Sequence, residues 1–224
     1  RIFLMIFCLT SFPLLAVGFS GGDGSSGNPF QVEYPEQLDL IREYLDASFI
    51  QIADIDLNVS PYNQGKGWTP IGDNDRSFVG QYNGNNYSIY NLMIADSALI
   101  KCGLFGSVYG AELFNIDLVN VNIYGNQEIG STVGRAEGSS IAYCTSTGQI
   151  YSSDTMIGSW AGGIAGIITG GTTLEKSCFS GSIYGLSFIG GLIGSAENST
   201  VINSYSEGSI TGYSEVGGLI GSCY

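Results

Sequence analysis

Five short glycine-framed apolar segments recur along the second half of the chain, and their spacing limits the available folds more than any other feature. They are Gly103-Leu104-Phe105-Gly106, Gly130-Ser131-Thr132-Val133-Gly134, Gly162-Gly163-Ile164-Ala165-Gly166, Gly190-Gly191-Leu192-Ile193-Gly194 and Gly217-Gly218-Leu219-Ile220-Gly221. Between closing glycines the steps are 28, 32, 28 and 27 residues. A near-constant period of this length marks a solenoid or other repeat array, in which each unit buries its apolar side against the next, rather than a compact globule.

Composition points to strands. Glycine supplies 34 of 224 residues, about twice its usual share of roughly 7% and without a collagen triplet. With 44% apolar residues, 14 Tyr and 11 Phe, the chain is too hydrophobic for disorder and suits pleated, half-buried surfaces. Aligning the repeats places Leu113, Ile141, Leu174 and Val201 in one column, with Asn115, Tyr143, Lys176 and Asn203 two residues further on. Ile123, Ile150, Ile183 and Ile210 form another column, followed by Tyr124, Tyr151, Tyr184 and Thr211. Such columns are what stacked coils require, with glycines expected at corners that need a positive φ or a close approach.

The segments before residue 103 read as a beginning to this array. Arg1 and the apolar run Ile2–Leu9, continuing to Val17, resemble a secretory signal peptide over residues 1–20. The run is broken by Thr10, Ser11 and Pro13 and falls short of a membrane span. Residues 21–33 read as a glycine-rich linker with a first extended segment, and residues 34–102 as an N-terminal cap with irregular first coils. Pro35, Glu36 and the spacing of Leu38, Ile41 and Leu45 predict a capping helix over 35–46. Ile50 and Ile52, then Ile55 and Leu57, predict two short strands with a slip at Ala53-Asp54. Asn83-Gly84-Asn85-Asn86 predicts a turn between two more strands. Residues 103–224 are the regular coils; the last stops just after a new tag, so the sequence is read as a fragment of a longer parent chain.

The ordered motifs resemble the GLUG family, named for its Gly-Leu-x-Gly core, seen at Gly103-Leu104-Phe105-Gly106, Gly191-Leu192-Ile193-Gly194 and Gly218-Leu219-Ile220-Gly221. Upstream, Asp54-Ile55-Asp56-Leu57, Gly67-Trp68-Thr69-Pro70-Ile71-Gly72 and Ile89-Tyr90-Asn91-Leu92 resemble the segment that commonly precedes such repeats. The resemblance implies an all-β, right-handed parallel β-helix with coils of 27–32 residues. It also implies a bacterial secreted or cell-surface protein, either adhesin-like or the stalk of an IgA-protease-type metallopeptidase. Two departures stand out, Ser131-Thr132 for a Gly-Leu pair and Ala165 in the third tag; the 32-residue step carries extra material between Ser152 and Ser159.

The residues give little support to chemistry. The chain has no histidine, which excludes a His-Glu-x-x-His zinc site and a Ser-His-Asp triad within it. A net charge of −13 without a basic stripe argues against nucleic acid. Asp54 and Asp56 point the same way from a strand and could form a carboxylate pair, but they fit a structural element bonding neighbouring backbone N–H groups. Asp73 and Asp75 are weak metal candidates that lack the following Gly and distal Glu of a calcium loop. Cys144 and Cys178 fall one position out of register, so no bridge is expected and the thiols are expected buried and free. Tyr124, Tyr151 and Tyr184 follow the inward Ile column and are expected outside as a stripe, either a cross-coil stabiliser or a contact for an extracellular glycan or protein. The expectation is therefore a non-catalytic stalk or adhesive surface without a cofactor. A polysaccharide-acting β-helix enzyme is the alternative, to be told by four or more carboxylates converging with a basic residue in a groove.

Overall fold

The computed structural model describes residues 18–154 and 158–224. It is a parallel β-solenoid, and the repeat alignment is its hydrogen-bonding register. A coil runs through four strand positions, each stacked in parallel on its counterparts. The tag face is built from Phe105–Tyr109, Val133–Glu137, Ala165–Thr169, Ile193–Ala196 and Ile220–Cys223. The short face follows with Glu112–Phe114, Ser140–Ala142, Thr173–Glu175 and Thr200–Ile202. The long face holds Asp117–Gly125, Thr145–Ser152, Cys178–Tyr184 and Tyr205–Thr211. A return face of Ala161–Gly162, Ser187–Gly190 and Ser214–Gly217 leads back to the next tag.

The expected columns line the interior. Leu113, Ile141 and Leu174 pair in register and are fully buried, as is Ile123, with Ile150 and Ile183 almost so. Each removes its aliphatic surface from water against the same position above and below, worth about 1.5–3 kcal/mol per side chain. Phe179 occupies the column of Leu118 and Ser146 and fills the interior up to the tag corner, where a Cβ on Gly163 would lie 2.3 Å from its ring. The extra residues of the long step lie between the long and return faces: nine residues lie between Tyr151 and Ala161, against four between Tyr184 and Ile189. Part of that insertion, residues 155–157, lies outside the described residues.

The tags do mark a corner, between return face and tag face, but not by left-handed backbone. None of the closing glycines Gly106, Gly134, Gly166, Gly194 and Gly221 has a positive φ. Their role is close approach. A Cβ on Gly134 would sit 2.7 Å from the Gly106 carbonyl oxygen, one on Gly166 2.6 Å from that of Gly134, and one on Gly194 2.7 Å from that of Gly166. Real Cβ atoms do not tolerate such contacts, so the column is reserved for glycine by the backbone of the coil below. Left-handed residues form other columns: Glu128, Trp160, Phe188 and Glu215 just before the tags, Gly110, Gly138, Gly170 and Asn198 at one corner, and Asn115, Tyr143, Lys176 and Asn203 at the next. Asparagine suits this conformation because its short side chain bonds locally. At Tyr143 and Lys176 the pair supports itself, Lys176 Nζ donating to the Tyr143 hydroxyl at 2.9 Å.

The first coils and the cap continue the same sheets. Phe30–Val32, Ser48–Gln51 and Gln81–Asn83 extend the short face, and Ile55–Asp56 with Ser88–Tyr90 extend the long face. The Asn83–Asn86 turn is therefore a corner between two sheets rather than a hairpin, with Asn85 and Asn86 at positive φ. Ile71 and Phe78 bridge to Phe105 and Val108, which puts Gly72 at the foot of the glycine column. The capping helix is shorter than the 35–46 expected: Pro35–Leu40 is α-helical, Ile41–Glu43 is a 3₁₀ turn, and Tyr44 leaves the helical region. So short a helix cannot sustain itself, and its end is set by burying Leu38, Ile41 and Leu45 on the first coil.

Residues 1–17 of the expected signal peptide lie outside the described residues. Its last residues are part of the cap: the Gly18 carbonyl accepts from Gln37 Nε2 at 2.7 Å, and Phe19 stacks on Phe30 with ring centroids 4.4 Å apart. The glycine-rich stretch read as a linker is a folded loop. Gly22 and Gly24 take φ of +81°, the Asn28 carbonyl accepts from the Asp23 N–H, and the Gly24 carbonyl accepts from Ser48 N–H.

Candidate functional site

Alternation along the long face sends Ile123, Ile150 and Ile183 inward, and Tyr124, Tyr151 and Tyr184 outward. The tyrosines pair in register across three coils. Their rings stack face to face, centroids 5.2 Å apart for Tyr124–Tyr151 and 4.9 Å for Tyr151–Tyr184, the second pair within 8° of parallel. This spacing is close to the strand separation, so the sheet itself sets the stack. The faces of Tyr151 are covered by its neighbours, and the ladder presents ring edges and hydroxyls to solvent. A sugar seeking a flat aromatic platform finds only the two end faces.

Beside the ladder runs a polar row at the same register, Asn122, Gln149, Ser182 and Ser209, all exposed. A further row holds Thr147, Ser180 and Glu207. Carboxamides carry donors and an acceptor in one plane and match paired hydroxyls or peptide groups. At the capped end of this face, the 58–67 loop and the strand corners enclose a shallow hollow of about 210 Å³ lined by Asn58, Asn63, Asn91, Met93, Asn120 and Asn122. Its amides are linked: Asn120 Nδ2 donates to Asn91 Oδ1 at 2.6 Å, Asn91 Nδ2 to Asp56 Oδ1 at 2.8 Å, and Asn63 Nδ2 to Asn58 Oδ1 at 3.2 Å. Asn91 and Asn120 both hold positive φ, Asn120 at the point within Asp117–Gly125 where the register with the next coil shifts. Reading the sequence singled out the tyrosines but not these amides, although the recurrence of Asn91 as Asn120 one coil on was a visible signal.

The carboxylates singled out from sequence are dispersed into backbone bonds. Asp54 Oδ1 accepts from Ser88 N–H at 2.9 Å, and Asp56 Oδ1 accepts from Asn58 N–H at 2.8 Å as well as from Asn91. Asp73 Oδ1 accepts from the N–H groups of Asp75 and Arg76, both at 2.9 Å, an Asx turn. Among the described residues no three His, Cys, Asp or Glu side chains gather as a metal site. Among the described residues the cysteines, Cys102, Cys144, Cys178 and Cys223, are unbridged. Cys102 and Cys144 are fully buried, and burial pushes both thiols up to about 12. Cys178 is only half-buried, against the expectation of buried thiols, because it faces outward between Thr145 and Tyr205; Cys223, in the last described strand, stacks on the buried Ala196.

Residues 185–211 match the family model of the GLUG motif. Over 92 residues, 40% of the chain, the sequence is 40% identical to a provisionally named Gly-rich membrane protein of Evansella cellulosilytica. Over 156 residues, 66% of the chain, it is 31% identical to a protein of Haloquadratum walsbyi named halomucin. The chain spans only 11% and 2% of the lengths of these relatives. A solved structure from Bacteroides ovatus, provisionally named an immunoglobulin A1 protease, superposes with a TM-score of 0.74 at 22% identity, over 92% of this chain and 65% of that one. These comparisons agree with the resemblance read from the tags. The GLUG motif is a structural repeat, and the likeness to the Bacteroides ovatus protein is one of fold. Among the described residues no helix is long and apolar enough to cross a membrane.

Proposed function

We propose that this chain is a non-catalytic β-helical stalk segment of a secreted or cell-surface protein, and that its long face is an adhesive surface for an extracellular glycan or protein. The observation that carries the reading is the unbroken register of outward rows over successive coils, Tyr124, Tyr151 and Tyr184 beside Asn122, Gln149 and Ser182. A rod gains length by adding such coils, and a repeated row of hydroxyls and amides offers many weak contacts that add by avidity. The named carboxylates Asp54, Asp56 and Asp73 are engaged by backbone N–H groups rather than converging with a base, which favours binding over glycoside chemistry. Surface location draws on the relative named as a membrane protein and on the stalk-type resemblance of the tags.

Two measurements test this. Antibodies raised against the purified chain should label intact, unpermeabilised cells of the source organism; labelling only after permeabilisation would overturn the surface assignment. On a glycan and matrix-protein array, the chain should bind, and a triple Tyr→Phe variant at 124, 151 and 184 should lose binding while keeping its ring stack. Binding to nothing on the array would remove the adhesive part, and cleavage of a polysaccharide panel would replace the reading with the enzyme.

A further inference from the structure

A second feature lies away from the long face and independent of it. At the capped end, the end of the helical segment, the 69–76 loop and residues 98–101 enclose a cleft of about 530 Å³. The sequence holds only seven Lys and Arg residues against 20 acids, yet Arg42, Arg76 and Lys101 all line this cleft. Arg42 is committed to structure: it pairs with Asp39, donates to the carbonyls of Thr69 and Pro70 at 2.8 and 3.1 Å, and lies 5.3 Å from the Trp68 ring centre. Arg76 and Lys101 make no ion pair among the described residues. Lys101 is half-buried, and among the described residues its ammonium group donates only to Ser107 Oγ, at 3.2 Å.

The carboxylates nearby do not fill this gap. Asp73 and Glu43 line the same cleft, but Asp73 Oδ1 is held by two backbone N–H groups. Glu128, which attracts Lys101 from the next coil, is taken by Arg135 through two bonds of 2.9 Å. Burial accordingly holds the Lys101 pKa below the ordinary lysine value. Glu128, Asp73 and Glu137 act on Lys101 only from a distance, so its half-buried ammonium has no carboxylate in direct contact among the described residues, a costly arrangement unless something supplies one. The remaining wall is mixed, with Leu45, Pro70, Leu99 and Ile100 on its apolar side and Thr69 and Asn74 among its polar groups. Trp68 is buried beneath Arg42 and offers no ring face.

We propose that this cleft binds a carboxylate of an acidic peptide segment, seated on Lys101 and Arg76, with an adjacent apolar side chain against Leu45, Pro70, Leu99 and Ile100. An acidic sugar would find partners for some hydroxyls at Thr69 and Asn74 but would set others against Leu45, Pro70, Leu99 and Ile100, whereas an apolar side chain beside the carboxylate covers that side, which favours the peptide. The probe is a fluorescein-labelled Leu-Glu-Leu tripeptide, read by anisotropy on the full chain against its Leu-Gln-Leu counterpart and a labelled oligogalacturonate. The acidic tripeptide should bind and the amide should not. Affinity should fall about tenfold in Lys101→Met, recover in Lys101→Arg, and weaken in the exposed-site variant Arg76→Gln, which keeps the test open should Lys101→Met unfold. Equal binding of acid and amide, or binding unchanged by both substitutions, would overturn the site. Lys101-dependent binding of oligogalacturonate without the tripeptide would overturn the choice of a peptide.

Discussion

Tyr151 and Tyr184 stack with ring centroids 4.9 Å apart and planes 8° from parallel, although 33 residues separate them in sequence. Tyr151 has a second partner in Tyr124, so it is the centre of the ladder. Tyr151→Ala should cost about 1 kcal/mol, in the range for aromatic pairs, whereas Tyr151→Phe should be near neutral. Urea unfolding of the two variants measures the difference; equal stability of Ala and Phe would mean that the ladder contributes nothing to the fold.

The glycines divide into two kinds with different expected costs. A Cβ on Gly166 would meet the backbone of Glu128 at 2.4 Å and the carbonyl oxygen of Gly134 at 2.6 Å, so Gly166→Ala must push coils apart. Loss of about 3 kcal/mol or more is expected, as for overpacking against atoms that cannot yield. Gly110 has a φ of +60° but nothing within 4 Å of its Cβ position, so Gly110→Ala should cost only about 1–2 kcal/mol of backbone strain. Denaturation midpoints in the reverse order would contradict the close-approach account of the tags.

The second tag offers a gain. Thr132 stands where the other tags have Leu104, Ile164 and Leu192, is fully buried, and its hydroxyl has no partner among the described residues. Thr132→Val keeps the shape and removes the unpaired group, so it should stabilise the chain by about 1 kcal/mol. A lower urea midpoint would show that the hydroxyl is satisfied in solution.

Alkaline pH should weaken the fold through its buried thiols. Burial raises Cys102 and Cys144 from an ordinary value of 9.0 to about 12. The folded state therefore keeps protons that the unfolded state releases, and stability is fully present below pH 9 and declines between pH 9 and 12. Each thiol contributes a slope of up to about 1.4 kcal/mol per pH unit in that window. Burial raises the phenol of Tyr82 in the same direction, which adds only at higher pH. Urea unfolding at pH 8, 9.5 and 10.5 should show the decline, and a Cys102→Ala, Cys144→Ala variant should flatten it.

The legible part of this protein was its repeat. Ile141 over Leu113 and Ile183 over Ile150 could be paired by eye, because in a solenoid the spatial neighbour of a residue is its counterpart one coil away. The outward tyrosines and the register mismatch of Cys144 and Cys178 followed from the same alignment plus the alternation of strands. What the repeat could not convey was conformation at its corners. Asn115, Tyr143, Lys176 and Asn203 aligned as a column, but their shared left-handed φ depends on how the backbone turns between sheets. The tag glycines were legible as glycines, and only the packed coils decided that they avoid contact with the carbonyl below rather than supply a positive φ.

By itself, then, the sequence determined the period, the stacked interior and the side of the sheet on which the tyrosines stand, since all three follow from local alternation and a constant step. Tertiary structure alone decided the helix end, the face-to-face closure of the ladder, and the meeting of Arg42, Arg76 and Lys101 in one cleft. Those three cations come from segments with no counterpart to align, so nothing periodic in the chain encodes their proximity. It arises only when the cap folds down on the first coils to bury Leu38, Ile41 and Trp68.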